Sequence, residues 1–95
     1  MTPVVWTFSA LADLEGIRRY IGHFNPYAAR DIADRIIEAG NSLATFPYRG
    51  RQVPGRQLRE SAIARPYITR YRVDADRVVI LRVQHGARRP RGPET

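Results

Sequence analysis

YITRYRVDADRVVILRVQH, residues 67–85, is the stretch on which the fold turns. From Tyr67 to Val73 the chain alternates. Tyr67, Thr69, Tyr71 and Val73 fall on one side, and Ile68, Arg70 and Arg72 on the other, because successive residues of a strand point to opposite faces. Asp74-Ala75-Asp76 has the length of a three-residue hairpin loop, without the Gly usual at its third position. Arg77 to Val83 is apolar on both faces apart from Arg82, as a strand inside a sheet should be. Arg70, Arg72 and Arg82 are therefore expected to share one face of two adjacent strands.

Upstream, Val4 to Phe8 reads as a short strand after Pro3, with Val4, Trp6 and Phe8 on one face. Ser9 is the expected helix cap, with Asp13 in the first turn. Leu14, Ile17, Ile21 and Phe24 recur at steps of three and four, which predicts a helix stopping near Phe24. Asn25-Pro26 is a second start signal, a cap followed by Pro at the first helical position. Ala29, Ile32, Ala33, Ile36, Leu43 and Phe46 carry the helical period on until Pro47. The pair is an antiparallel helical hairpin whose apolar stripes require a sheet to cover. PYRGRQVPGRQ (residues 47–57) is a basic loop, and Gln57 to Ile63 a weak strand. The order is β-α-α-β-β-β. The fold class is α+β, two layers, a helical hairpin packed on a small, mostly antiparallel sheet. Helices cover one sheet face, so the arginine face is expected to be the open one.

The 95 residues make one domain, 1–95. The chain has no Cys, hence no disulfide framework and no thiolate metal site. No apolar run approaches the roughly 20 residues of a membrane span, and the N-terminal residues lack a signal-peptide pattern. A cytoplasmic setting with no metal and no cofactor is the expectation. Charge is more informative. The net charge is +7, with sixteen Arg and no Lys, and twelve of those Arg lie in residues 49–95. Guanidinium groups grip phosphate or carboxylate with a planar fork, so a polyanionic partner is expected, nucleic acid or an acidic protein.

One family fits the ordered set Trp6, Ala12-Asp13-Leu14, Ile17, Tyr20-Ile21, Asn25-Pro26, Ala28-Ala29, Leu43, Phe46-Pro47, Gly50-Arg51, Pro66-Tyr67, Tyr71-Arg72-Val73, Val79 to Val83 and His85-Gly86-Ala87-Arg88. Along nearly its whole length the chain resembles the RelE/ParE superfamily of bacterial type II toxins. The resemblance implies a helical hairpin on a small curved sheet. It also implies a cognate antitoxin (ParD/RelB-like), encoded by a neighbouring gene, whose C-terminal segment wraps the toxin in a hetero-oligomer. RelE-like members cut mRNA in the ribosome without metal. ParE-like members poison DNA gyrase and are not known to need a catalytic side chain.

Where RelE-like nucleases commonly carry an Arg that contacts the scissile phosphate, three residues before the second Tyr, this chain has Ile68. Arg70 shares its strand parity but lies about 7 Å further on. No Tyr follows Tyr71. These departures favour the ParE-like branch. In the nuclease alternative, Arg70, Arg72, Arg82 and His85 are the catalytic candidates. His85 has the titration range for proton transfer, but equally suits a hydrogen bond that fixes the strand end. Target or nucleic-acid contacts are expected at Arg51, Arg59, Arg70, Arg72, Arg82 and Arg88. Antitoxin contacts are expected at Leu14, Ile17, Ile21, Ile32, Ile36 and Arg82. Glu38 reads as a solvated helix residue, Glu60 as an ion-pair partner of the arginines, and Trp6 as core. Tyr20 and Tyr27 read as exposed near the hairpin turn. The tail Arg89-Pro90-Arg91-Gly92-Pro93 cannot add a regular strand.

Overall fold

The computed structural model describes residues 2–87. Strand β1 (Val4–Trp6) leads into helices α1 (Phe8–Gly22) and α2 (Pro26–Asn41), then a 3₁₀ turn (Ser42–Ala44). Strands β2 (Arg51–Gln52), β3 (Arg59–Ser61), β4 (Tyr67–Val73) and β5 (Val78–His85) follow. They form one five-stranded sheet in the order β1-β5-β4-β3-β2. Among the described residues, only the β1–β5 pair is parallel. The helices cover one face, and the sheet's inward side chains meet them there.

The β4–β5 hairpin is the longest ladder, running from Tyr67↔His85 to Val73↔Val78 with an irregularity after Arg70. Thr69, Tyr71 and Val83 are buried on the helix side with Ala10, Ile36, Ala39 and Leu43. Its connection spans residues 74–77, one longer than expected, closed by the Asp74 amide donating to the Arg77 carbonyl at 2.8 Å. Burial raises the Tyr71 phenol pKa. Its hydroxyl donates to the Pro47 carbonyl (2.8 Å) and accepts from the Gly50 amide (2.9 Å), which pins the basic loop to the core. A Cβ at Gly50 would lie 2.6 Å from that hydroxyl, so the loop passes this close only as glycine.

Three local expectations are corrected. The first strand ends at Trp6, because Thr7 rather than Ser9 caps α1: its Oγ1 accepts from the Ala10 amide at 3.1 Å. The same Oγ1 donates to the Leu81 carbonyl (3.1 Å), and the Thr7 amide donates to the Ile80 carbonyl (3.1 Å). Phe8 thereby becomes the first helical residue, 92% exposed rather than a strand partner of Trp6. The second helix stops at Asn41, and Phe46 is exposed. Within the basic loop, Arg51 and Gln52 pair with Glu60 and Arg59, a two-residue strand too short to leave a periodic signal.

Asn25 caps α2 as expected, its Oδ1 accepting from the Tyr27 and Ala28 amides, with Pro26 opening the helix. Near its end α2 crosses β1 closely. A Cβ at Gly40 would sit 2.5 Å from the Trp6 ring and 2.9 Å from Ile80 Cδ1. Trp6 Nε1 donates to Asn41 Oδ1 at 3.1 Å.

Replacing Tyr71 by Phe leaves the Gly50 amide and the Pro47 carbonyl without that partner. Tyr71→Phe is expected to lose about 1–3 kcal/mol in urea unfolding. Gly40→Ala is expected to lose a similar ~1–3 kcal/mol by overpacking Trp6. Unchanged midpoints would refute these two contacts as determinants of stability.

Candidate functional site

The strand register sets four side chains in one row across the uncovered sheet face. Arg51 lies opposite Glu60, Glu60 opposite Arg70, and Arg70 opposite Arg82. Two guanidiniums placed directly opposite each other repel, and carboxylates draw them apart. Arg70 Nη2 lies 2.8 Å from Glu60 Oε2, and Arg51 Nη2 lies 3.3 Å from Glu60 Oε1. Glu60 and Arg70 are largely buried, so their pair is shielded from solvent, whereas Arg51 reaches Glu60 from an exposed position. Arg82 turns instead to the sheet edge, donating from Nε to Asp13 Oδ2 (2.8 Å) and from Nη2 to Oδ1 (3.1 Å). That fork raises the Arg82 pKa. Arg72 makes a similar fork on Asp74, at 2.7 and 3.2 Å. The three strand arginines therefore share a face as expected, but each already grips a carboxylate.

Arg59 has the opposite parity, lying across from Tyr71. It donates to the Tyr48 and Gly50 carbonyls and stacks on the Tyr48 ring, 5.0 Å from its centroid. It clamps the loop rather than presenting a free cation. Arg51 is exposed and shares Glu60. Arg88 lies outside the described residues.

His85 is not brought to the arginines. It pairs with Tyr67, on the helix side with Thr69 and Tyr71, whereas Arg70 and Arg82 project from the other side. Its ring meets Tyr67 edge-on at 5.5 Å, and its Nδ1 accepts from the Ala87 amide at 3.0 Å. This geometry fixes the strand end. The four nuclease candidates are thus divided between two faces of one sheet.

His85 instead lines a groove between α1 and the β5 edge, with Asp13, Gly16, Ile17, Tyr20, Ile32, Tyr67 and Val83 among its walls. The groove exists because β1 is short and reaches β5 only through Ile80. Beyond that, Thr7 covers the Leu81 carbonyl and Asp13 Oδ2 accepts from the Val83 amide at 2.9 Å. By the alternation of an antiparallel ladder the His85 amide points the same way as the Val83 amide, past the reach of β1. An uncovered edge of this kind is a template for another strand. Ile17 and Ile32 stand in the groove, and Leu14 is partly buried against the core. Ile21 is half-buried, but Ile36 is fully buried, so its side chain is closed to a docking segment. It faces the core because it sits mid-stripe on α2, directly over the sheet. Asp13 and Tyr67 were not among the partner residues expected from the sequence. Asp13 meets Val83 across seventy positions, a separation no local pattern encodes.

Residues 4–90 match the model of the family described as ParE toxin of type II toxin-antitoxin system, parDE. A relative named Toxin RelE2, from Caulobacter vibrioides, is 49% identical over 88 residues, covering 93% of this chain and 99% of the relative. A putative toxin, Y4kP, from Sinorhizobium fredii is 43% identical over 83 residues, covering 84% of this chain and 83% of the relative. Among solved structures, the chromosomal ParDE TA system from P. aeruginosa superposes with a TM-score of 0.80 at 26% identity, covering 90% of this chain and 96% of that one. The toxin-antitoxin complex RelBE2 from Mycobacterium tuberculosis shares the fold, with a TM-score of 0.63 at 24% identity, covering 88% and 96%.

The arginine pairing has a measurable acid signature. The hydrogen bond from Arg72 holds the Asp74 carboxyl below its ordinary pKa, and Arg18 does the same to Glu15. A folded-state pKa below the unfolded value stabilises above the unfolded pKa, and the gain drains away as pH falls through the folded one. Urea midpoints are expected to hold from neutrality to about pH 5 and to fall below it. Asp74→Asn should flatten part of that fall, and an unaltered acid profile would refute the pair's contribution.

Proposed function

The chain belongs to the ParE toxin family of type II toxin–antitoxin systems, and on that premise we propose that it is a non-catalytic toxin that arrests growth by poisoning DNA gyrase. The observation that carries this reading is the division of His85 from Arg70 and Arg72 by the sheet, with those two arginines and Arg82, which turns to the sheet edge, each held by a carboxylate. A ribonuclease needs its acid–base group and its phosphate grip within about 3 Å of one reacting centre. Ile68, an apolar side chain at the position where RelE-like nucleases commonly carry Arg, argues the same way. Inhibition of a large enzyme by surface contact requires no such centre.

The cognate antitoxin, in this reading, lays its C-terminal segment along the groove between α1 and β5. The open amide of His85 and the edge past Val83 offer main-chain pairing, and Ile17 and Ile32 offer apolar contact. Antitoxin carboxylates would meet an excess of arginine, which speeds encounter. The setting is cytoplasmic, where gyrase works.

The second reading is a ribosome-dependent mRNA endonuclease, favoured by relatives that carry the name RelE. One pair of assays separates the two. Purified toxin with gyrase, ATP and supercoiled plasmid is expected to give protein-linked linear DNA after detergent and protease treatment. Primer extension on mRNA in a translating extract is expected to show no new cuts. Intact plasmid together with codon-phased cleavage of mRNA would overturn the gyrase reading and install the nuclease.

A further inference from the structure

Strand β5 outruns its parallel neighbour. The pairing with β1 ends at Trp6↔Ile80, while β5 continues to His85 and stays paired with β4 to Tyr67↔His85. In an antiparallel ladder the amide and carbonyl of one residue point the same way, and alternate residues point to alternate sides. The Gly86 amide donates back to the Pro66 carbonyl at 2.9 Å, on the β4 side. Val83 and His85 therefore aim their main-chain groups the other way, into the space that β1 does not reach. A bare edge of this kind accepts a strand that arrives, one from a second copy of the same chain included.

One side chain of α1 closes it at Val83. Asp13 Oδ2 accepts from the Val83 amide at 2.9 Å and from Arg82 Nε at 2.8 Å, and its Oδ1 accepts from Arg82 Nη2 at 3.1 Å. The Asp13 side chain is 17% exposed and that of Arg82 47%. An ion pair with one partner so open adds little stability. What the fork does is aim the carboxylate at one amide. The bulk of the helix does not close the edge. A groove of about 690 Å³ runs beside it, lined by Gly16, Ile17, Val83 and His85 among others. A Cβ at Gly16 would meet nothing within 4 Å.

The uncapped edge is self-complementary. Two copies related by a twofold axis through Gln84 would run their β5 edges antiparallel, with Val83 opposite His85 of the second copy, each amide meeting a carbonyl. With Asp13 in place, every bond in which a Val83 amide donates is lost. The carboxylate would also face the His85 carbonyl oxygen of the second copy, and the two repel. Charged side chains set against an edge are a general means of keeping strands from joining.

We propose that Asp13 is an edge guard: its carboxylate, aimed by Arg82, caps the Val83 amide and denies the β5 edge to a second copy of this chain. The inference rests on neither reading of the target.

The experiment combines amide hydrogen exchange, read by NMR, with sedimentation velocity of the full chain. In the unaltered protein the Val83 amide is expected to exchange at least about tenfold more slowly than the His85 amide, one being capped and the other open. Equal rates would overturn the proposal, and this comparison needs no variant to fold. Asp13→Ala uncovers the amide. It is expected to dimerise with a dissociation constant at least about tenfold lower than the unaltered chain. Its Val83 amide should exchange fast in dilute solution and become protected as concentration rises. Asp13→Asn keeps an oxygen acceptor over Val83 and should stay within about twofold of the unaltered chain. Asp74→Ala breaks the comparable fork on Arg72 away from this edge and should also leave association unchanged, which separates edge pairing from association caused by lost stability. An Asp13→Ala chain that stays monomeric, that dimerises with its Val83 amide still exchanging fast, or that is matched by Asp13→Asn or Asp74→Ala would overturn the proposal.

Discussion

Period-two alternation along the β4–β5 ladder is the constraint from which the rest of the molecule follows. It sends Thr69, Tyr71 and Val83 into the helical layer and Arg70 and Arg82 away from it. A slip of one residue would bury two guanidiniums and expose the core, a cost far larger than a small domain's stability. The register is therefore held, and everything on the two faces inherits its position from it. Tyr71 reaches the loop because it is inside. The arginines must find carboxylates because they stand opposite one another outside. His85, an odd number of positions from Arg82, belongs to the other face.

Charge then redistributes the functional surface. An ion pair on a strand row neutralises two side chains at once, and Glu60, Asp13 and Asp74 spend the strand cations in this way. Among the described residues, Arg35, Arg49, Arg59 and Arg65 have no carboxylate partner; Arg35, Arg49 and Arg59 bond to carbonyls or a hydroxyl instead. These surround the 44–51 loop and the turn before β4.

The pattern of what was legible follows the same physics. The hairpin strands and the Asn25-Pro26 helix start are encoded by neighbours within a few positions, and the sequence pattern locates them closely. The Ile68 substitution was visible as well, through the family resemblance. Thr7 was overlooked as a cap because Thr in a β-rich run reads as strand; its choice is made by the Leu81 carbonyl, far along the chain. Phe46 kept the helical period but not the helix, since a 3₁₀ turn intervenes. Arg70, Arg72 and Arg82 were rightly grouped on one face, yet two of their three carboxylates arrive from other elements.

Thr7 carries one more implication. Its hydroxyl accepts from the first turn of α1 and donates to Leu81, while its amide donates to Ile80. A single residue thereby solders the corner where strand becomes helix, and leaves that corner no hinge. The start of α1 and the middle of β5 are thereby tied through one side chain and one amide, so the helix cannot shift against the central ladder without breaking these hydrogen bonds.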